Sequence, residues 1–319
     1  MKKILLISEN YENWKKHSSS NSLIVNNCEF FLDNDFTKNQ EYDFYIFYGL
    51  VNKTRFVNKK NSALILQEPP SVYEYSESYT NQFEYLFYFN PKYKHKKQIY
   101  FCPPFWQVGN LIKNKTSQEF LNYTDLYNLK NKKKKKISVI LSDKVSTKEY
   151  EIRFKIIQSI ISEFKNEIDT FGTGFGKEYI ENKMIGLDNY YYHICIENYF
   201  ANDFWTEKLS DPLISRSNPI YYGCQNLEKY FKDKFYILKP DDKNYNLRIV
   251  EKILKKKTNK FEFEHSRELI FSKYSIINFI SNFVNKNYSK EKKIEKIYSY
   301  KNFTNLKMML KKISKVYRF

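Results

Sequence analysis

The stretch YYHICIENYFANDFWTEKLSDPLISRSNPIYYG, Tyr191 to Gly223, decides how the rest of the chain is read. It opens with an apolar run that ends in Glu197-Asn198 and closes with Pro219-Ile220-Tyr221-Tyr222-Gly223. Between them, Thr206, Glu207 and Lys208 head what reads as a helix. A strand, a helix and a second strand in so short a span form a βαβ unit, whose strands lie parallel. Pro212 leaves two starts open for the helix. With Thr206 as N-cap, the proline falls past the first turn and costs a backbone bond. With Asp211 as N-cap, it takes the favoured first helical position. In both cases Glu207 and Lys208 face the crevice beyond the carboxyl ends of the strands, where ligands of parallel sheets bind.

Outward from this stretch the same alternation repeats. ISVIL (Ile137–Leu141) reads as a buried strand. It is followed by a helix near Glu149–Lys165, because Ile152, Ile156, Ile160 and Phe164 fall four apart with Ile157 and Ile161 beside them. Further strands are expected at Ile168–Phe171 and Phe235–Leu238, and in the first half at Lys3–Ile7, Glu29–Leu32, Asp43–Tyr48, Ala63–Gln67 and Glu84–Phe89. The run LKNKKKKK, Leu129 to Lys136, repels itself and reads as a solvated connector. The expectation is an α/β chain with a first domain over 1–130, a second over 137–283 and a basic tail over 284–319. Two such domains facing each other leave a cleft between them.

The 319 residues carry a net charge of +18, which suits an anionic partner: nucleic acid, a membrane surface or a phosphate-bearing ligand. The excess is uneven. From Lys286 to Phe319, ten Lys and one Arg stand against two Glu, about half of the surplus. There Ile294, Ile297 and Tyr298 read as one helical face, and Leu306, Met309, Leu310, Ile313, Val316 and Tyr317 as another, with Lys307, Lys311, Lys312 and Lys315 opposite. Such a helix either lies on anionic lipid or packs on the first domain with its lysines in water. A non-catalytic nucleic-acid-binding protein is the reading from another class. The basic residues, however, concentrate in a connector and a tail, and no recognition module is present.

Other features carry less. Cys28, Cys102, Cys195 and Cys224 form no CxxC pair, and free thiols in a reducing compartment follow. MKKILLIS has too short an apolar run for a signal peptide, and no stretch reaches the ~20 apolar residues of a spanning helix. Asp33-Asn34-Asp35 has the DxD spacing of metal-dependent transferases, but such spacing is common in polar turns. His17, His95, His193 and His265 show no ligand spacing, and His193 alternates with apolar neighbours like a core residue. FGTGFG, Phe171 to Gly176, is half of a dinucleotide fingerprint and fits a tight strand-exit loop equally well.

Arg153 and Lys208 each follow a strand and sit near a helix start. Helix N-termini favour anions, and two full positive charges there make a grip for a diphosphate. The segment CIENYFANDFWTEKLSDPLISRSNPIYYG resembles the signature of the glycosyltransferase family that contains the α-1,3-fucosyltransferases. That family carries Glu-Asn after a strand (Glu197, Asn198), then Thr-Glu-Lys (Thr206, Glu207, Lys208), then a helix, then Pro-Ile/Val-Tyr-Trp/Tyr-Gly (Pro219 to Gly223, with Tyr222). SVILSDKVSTKEYEIRFKII resembles its strand and the following helix with Arg153, LILQEPPSVY its Glu-Pro-Pro segment with Glu68, and FSKYSIINFI its late helix. The likeness is specific across Ile137–Lys239 and thinner elsewhere. Phe204 stands where family members often have Tyr, and Ser215-Arg216-Ser217-Asn218 replaces a small turn; both bear on the donor sugar more than on the fold.

The resemblance implies a GT-B type fold of two Rossmann-like domains, the second binding the nucleotide. It implies an inverting transferase using a GDP-sugar, usually GDP-fucose, as co-substrate, with the same fold on another nucleotide-sugar as the alternative, and with no other cofactor and no essential metal. Glu68 would take the proton of an acceptor hydroxyl, because an alcohol is a poor nucleophile. Arg153 and Lys208 would stabilise departing GDP. Glu197, Asn198, Phe204, Thr206, Glu207 and Tyr222 would line the donor site. The acceptor would be a GlcNAc-containing surface glycan or lipopolysaccharide. The enzyme would be cytoplasmic or peripheral on the inner face of a membrane, touching anionic lipid through its tail and binding no nucleic acid.

Overall fold

In the computed structural model the described residues are 1–8, 12–19, 23–33, 41–110, 119–257 and 259–303. They divide into two units: Met1–Tyr11, Ser20–Cys102 and Ile277–Phe319 in the first, Glu12–Ser19 and Pro103–Ile276 in the second.

The first unit is built on strands β1 (Lys2–Ile7), β2 (Ile24–Val25), β3 (Cys28–Leu32), β4 (Phe44–Tyr48), β5 (Arg55–Asn58), β6 (Ser62–Ile65), β7 (Tyr85–Phe87) and β8 (Gln98–Ile99). Seven of them form one sheet in the order β2-β3-β1-β4-β6-β7-β8, with β5 apart. All its pairs are parallel except β2 with β3. Burial follows position. β4 and β6, central in the sheet, are almost wholly buried, as continuous apolar runs require, whereas β3 near the edge alternates between buried and half-buried residues. Two short helices also fall in this part of the chain: α1 (Glu12–Lys16), which groups with the second unit, and α2 (Glu77–Thr80).

The second unit contains the hairpin β9 (Gly109–Asn110) and β10 (Glu119–Phe120), helix α3 (Tyr123–Tyr127), β11 (Lys135–Ile140), α4 (Lys148–Glu163), β12 (Ile168–Phe171), β13 (Tyr190–Ile196), α5 (Glu207–Ile214), β14 (Asn218–Tyr222), β15 (Tyr236–Ile237), α6 (Lys243–Leu254) and α7 (Glu264–Ser272). Strands β11 to β15 form an all-parallel sheet in the order β12-β11-β13-β14-β15. Ile156, Ile157 and Ile160 of α4 and Val250 and Ile253 of α6 bury their faces in a core with Ile137, Val139, Ile194 and Ile220 of the sheet.

The chain then returns to the first unit through α8 (Ile276–Asn287) and β16 (Ile294–Ile297). Phe279 and Phe283 of α8 meet Phe87 edge-on at 5.6 and 4.7 Å, and Phe283 also meets Phe44 and Tyr85. β16 pairs antiparallel with β5, from Ile294 opposite Asn58 to Ile297 opposite Arg55.

The expected fold stands in each unit taken by itself: a Rossmann-like α/β layer on a parallel sheet, as a GT-B chain has. The chain divides at Cys102–Pro103, and α8 and β16 group with the first unit. The details differ in three places. Ile294 and Ile297 lie on a strand, because pairing with β5 overrides a spacing that also suits a helix turn. The late helix is broken into α7 and α8 at Lys273–Ser275. The lysine run is not simply solvated. Lys135 and Lys136 begin β11, and the Lys133 ammonium donates to the carbonyls of Leu187 and Asp188 at 2.9 and 3.0 Å and to Ser217 Oγ at 3.3 Å. Burial lowers that lysine's pKa to about 7. The expected helical face from Leu306 to Tyr317, and Asn34-Asp35 of the DxD spacing, lie outside the described residues.

Candidate active site

The order of the second sheet fixes where a ligand crevice is expected. From β11 the chain goes through α4 to one neighbour, β12, and then crosses to the other neighbour, β13. The carboxyl ends of β11 and β13 therefore form a topological switch point, where the loops leave in opposite directions and open a crevice. Ser142 and Arg153 follow β11; Glu197 and Asn198 follow β13.

α5 settles the question of Pro212. Thr206 is the N-cap: its hydroxyl accepts from the Lys208 N–H at 3.3 Å, and Pro212 lies inside the helix. The helix stays short, ending at Ile214, and Arg216 takes a positive φ of 59° just beyond it. Arg216 is held in that left-handed conformation by its side chain, whose Nε donates to Leu129 O at 3.1 Å and whose Nη1 pairs with Glu264. This is how an arginine stands where a glycine would be the unstrained choice.

Glu197 is fully enclosed, with 0% exposure. The N–H and hydroxyl of Thr206 donate to its two oxygens at 2.8 and 2.6 Å, and the Tyr221 hydroxyl donates at 3.4 Å. The carboxylate therefore ties the end of β13 to the head of α5. Burial pushes its pKa up to about 7 against the pull of Lys208. Gly223 is needed beside it: a Cβ there would come within 2.3 Å of Glu197 Cγ and 2.7 Å of the Tyr221 hydroxyl.

At the head of α5, Lys208 Nζ donates to Glu207 Oε1 at 2.8 Å, with Thr206 Oγ1 at 3.4 Å. Burial works against both charges. Lys208 and Lys183 nonetheless hold Glu207 down at about 2, and Glu207 and Glu197 keep Lys208 above the ordinary lysine range. Arg153 is also buried. Its Nη2 donates to Ser142 Oγ at 3.2 Å, its guanidinium lies 4.6 Å from the Tyr150 ring centroid, and its Nε is buried without a partner among the described residues. Burial lowers its pKa, opposed by Tyr150, Glu197 and Glu207. Asn198 donates to the Tyr150 hydroxyl at 3.3 Å, and its Oδ1 is likewise buried and unpaired. An open donor on Arg153 and an open acceptor on Asn198 thus flank one tyrosine, in a protein interior where polar groups are normally bonded.

The remaining expected residues are more dispersed. Phe204 is buried, edge-on to Tyr199, and Tyr222 is half-buried with its ring 4.5 Å from Phe200. Glu68 is in the first unit, exposed just after β6, and its carbonyl accepts from the Tyr88 hydroxyl at 3.2 Å. The FGTGFG loop folds back on the end of β11: Gly174 N–H donates to Leu141 O, and at Gly172, where φ is +95°, a Cβ would come 2.5 Å from that oxygen. His193 is a core residue bonded to Ser138 Oγ at 2.8 Å, and all four cysteines are free and buried. Among the described residues no group of three or more His, Cys, Asp or Glu could hold a metal, and no helix is long and apolar enough to cross a membrane.

Sequence reasoning missed a second buried carboxylate. Asp211, one turn below Glu207 on α5, accepts from the Gln107 N–H at 2.9 Å and pairs with Lys183 Nζ at 3.0 Å. The only signal in the sequence was an acid beside a proline inside an apolar segment.

Residues 130–265 match the family model described as Glycosyltransferase family 10 (fucosyltransferase) C-term. A 67-residue stretch is 33% identical to alpha-(1,3)-fucosyltransferase FucT of Helicobacter pylori, a match that spans 21% of this chain and only 14% of that relative's length. Crystal structures of an alpha1,3-fucosyltransferase with GDP and with GDP-fucose each align over 99% of this chain and 90% of theirs, at 15% identity, with TM-scores of 0.47 and 0.45. The likeness to glycosyltransferase family 10, the fucosyltransferase family, thus falls on residues 130–265, less than half of the chain.

Proposed function

We propose that the protein transfers fucose from GDP-fucose, with inversion, to a hydroxyl of a GlcNAc-containing glycan of a surface polysaccharide or lipopolysaccharide. The observation that carries the reading is the open Nε of buried Arg153 at the switch point, within electrostatic reach of Lys208 and Glu207. In this reading the two cations meet the diphosphate and stabilise the charge that grows on it as the glycosidic bond breaks. Groups of this kind commonly contribute about 3–4 kcal/mol to the transition state. Glu207 and the open Oδ1 of Asn198 accept from donor hydroxyls. Glu197 works from behind, through Thr206, by fixing where α5 begins. Glu68 is the base for the acceptor hydroxyl; its place just beyond a strand of the first unit's parallel sheet supports that role. No metal takes part. The basic segment Lys286–Phe319 meets anionic lipid.

The test begins with thermal denaturation in the presence of GDP-fucose, GDP-mannose, UDP-GlcNAc and GDP, since a ligand bound only by the folded state raises its apparent stability. GDP and GDP-fucose are expected to stabilise the protein and UDP-GlcNAc is not. Arg153→Ala and Lys208→Ala should each lower fucosyl transfer by about 100- to 1,000-fold. Wild-type turnover in both variants would overturn the assignment.

A further inference from the structure

Three segments distant in sequence meet at Asp211. Gln107 comes from the stretch before β9, Lys183 from the one-turn helix Lys183–Gly186, and Asp211 from the second turn of α5. Asp211 is 1% exposed, and both of its oxygens are occupied: Oδ1 by the Gln107 N–H at 2.9 Å and Oδ2 by Lys183 Nζ at 3.0 Å. The Gln107 side-chain oxygen stands 3.4 Å from the same ammonium. A carboxylate so enclosed is expensive to keep unless it is paired and hydrogen-bonded, and here it is both. Glu207 lies four residues before Asp211 and so one turn up the same helix face. Lys183 is only 17% exposed along its side chain, the same as Glu207.

Resting on the donor-site reading above, we propose that Lys183 and Asp211 form a positioning pair, in which Asp211 anchors a third cation that steadies the Glu207 carboxylate at the head of α5. The charges around Glu207 are then Lys208 and Asp211 from α5, Lys183 from its turn, Arg153 from α4 and Glu197 at the end of β13. With Lys208 alone, Glu207 would have to compete with Glu197 for one ammonium. With Lys183 anchored below, Glu207 stays ionised while Lys208 is shared. The direction of the Glu207 pKa agrees: burial would raise it, and Lys208 followed by Lys183 brings it down. Asp211 supplies the anchor without itself being well solvated; burial lifts its pKa to about 6.

The experiment reads Glu207 directly. Carboxyl carbons of glutamate are labelled, the Glu207 signal is identified by its loss in Glu207→Gln, and its titration is followed in the full chain without donor. Lys183→Met is expected to move the midpoint up by about one pH unit or more, since one nearby opposite charge is removed. Lys183→Arg should restore it. Lys183→Met/Asp211→Asn, which removes both buried charges at nearly constant volume, should fall between, and keeps the test open where the single variant folds poorly. Alongside, KM for GDP-fucose should rise about tenfold in Lys183→Met with kcat changed far less. An unmoved Glu207 midpoint in Lys183→Met or in the double variant overturns the pair. A midpoint that moves in a protein that binds neither GDP nor GDP-fucose upholds the pair and overturns the donor reading instead.

Discussion

Helices α4 and α5 both begin at a threonine whose hydroxyl accepts a first-turn N–H at 3.3 Å: Thr147 from Tyr150, and Thr206 from Lys208. Beyond that shared start they differ in what surrounds them. α4 runs sixteen residues with one face on the core and the other in water, and its cap serves only the helix. α5 runs eight residues, from Leu209 to Ile214 all buried, and its cap hydroxyl also donates to the enclosed Glu197. A helix supported along one face needs little from its first turn. A short buried helix interrupted by a proline depends on what its first turn is tied to, and in this protein that tie holds the charged residues of the site.

The comparison can be broken at the tie. Gly223→Ala should give the largest effect, a loss of about 3 kcal/mol in denaturant unfolding, because the added methyl meets Glu197 at 2.3 Å and the side chain it strikes is already fixed by three donors. Thr206→Ala removes both the cap and a bond to a buried carboxylate and should cost about 2 kcal/mol. Third is pH. Glu197 and Asp211 have pKa values raised to about 7 and 6, so the native state binds more protons than the unfolded chain between about pH 4 and 7. Stability should therefore fall as pH rises through that window, and Glu197→Gln should flatten the slope. Glu207, held low, acts in the opposite sense: its contribution is present above the usual carboxylate range and is lost as pH falls toward 2. Smallest is Thr147→Ala, about 1 kcal/mol or less, since that hydroxyl has no second task. Equal costs at Thr147 and Thr206 would show that the tie to Glu197 adds nothing.

The same contrast explains what could be read from the sequence. The half-solvated face of α4 leaves an isoleucine stripe, and the helix was expected to within two residues of where it lies. The strands of the parallel sheets were visible as apolar runs for the same reason. α5 has no stripe, because buried surroundings accept Leu, Pro and Ile on every side, and only its Thr-Glu-Lys head was informative. Partners defined by distance in space were silent. Gln107 and Lys183 lie 104 and 28 residues from Asp211, one inside the mostly buried apolar stretch Phe105-Trp106-Gln107-Val108 and the other at the start of a one-turn helix, neither with a pattern that points to the partner. The end of the chain misled for a related reason. Ile294 and Ile297 are spaced for a helix turn, and only the pairing with β5, more than two hundred residues earlier, makes them a strand. The lysine run reads as solvent-exposed by charge alone, yet Lys133 finds two carbonyls and a serine hydroxyl.

The return of α8 and β16 to the first unit has a consequence for how the protein is made. During synthesis, Pro103–Ile276 leaves the ribosome as one continuous stretch, after Glu12–Ser19 has already emerged, and can close its sheet at once. The earlier-born sheet must wait for Phe279 and Phe283 before its apolar face is covered. The half of the chain translated first is thus the half completed last, and the nascent chain is most exposed to aggregation during that delay.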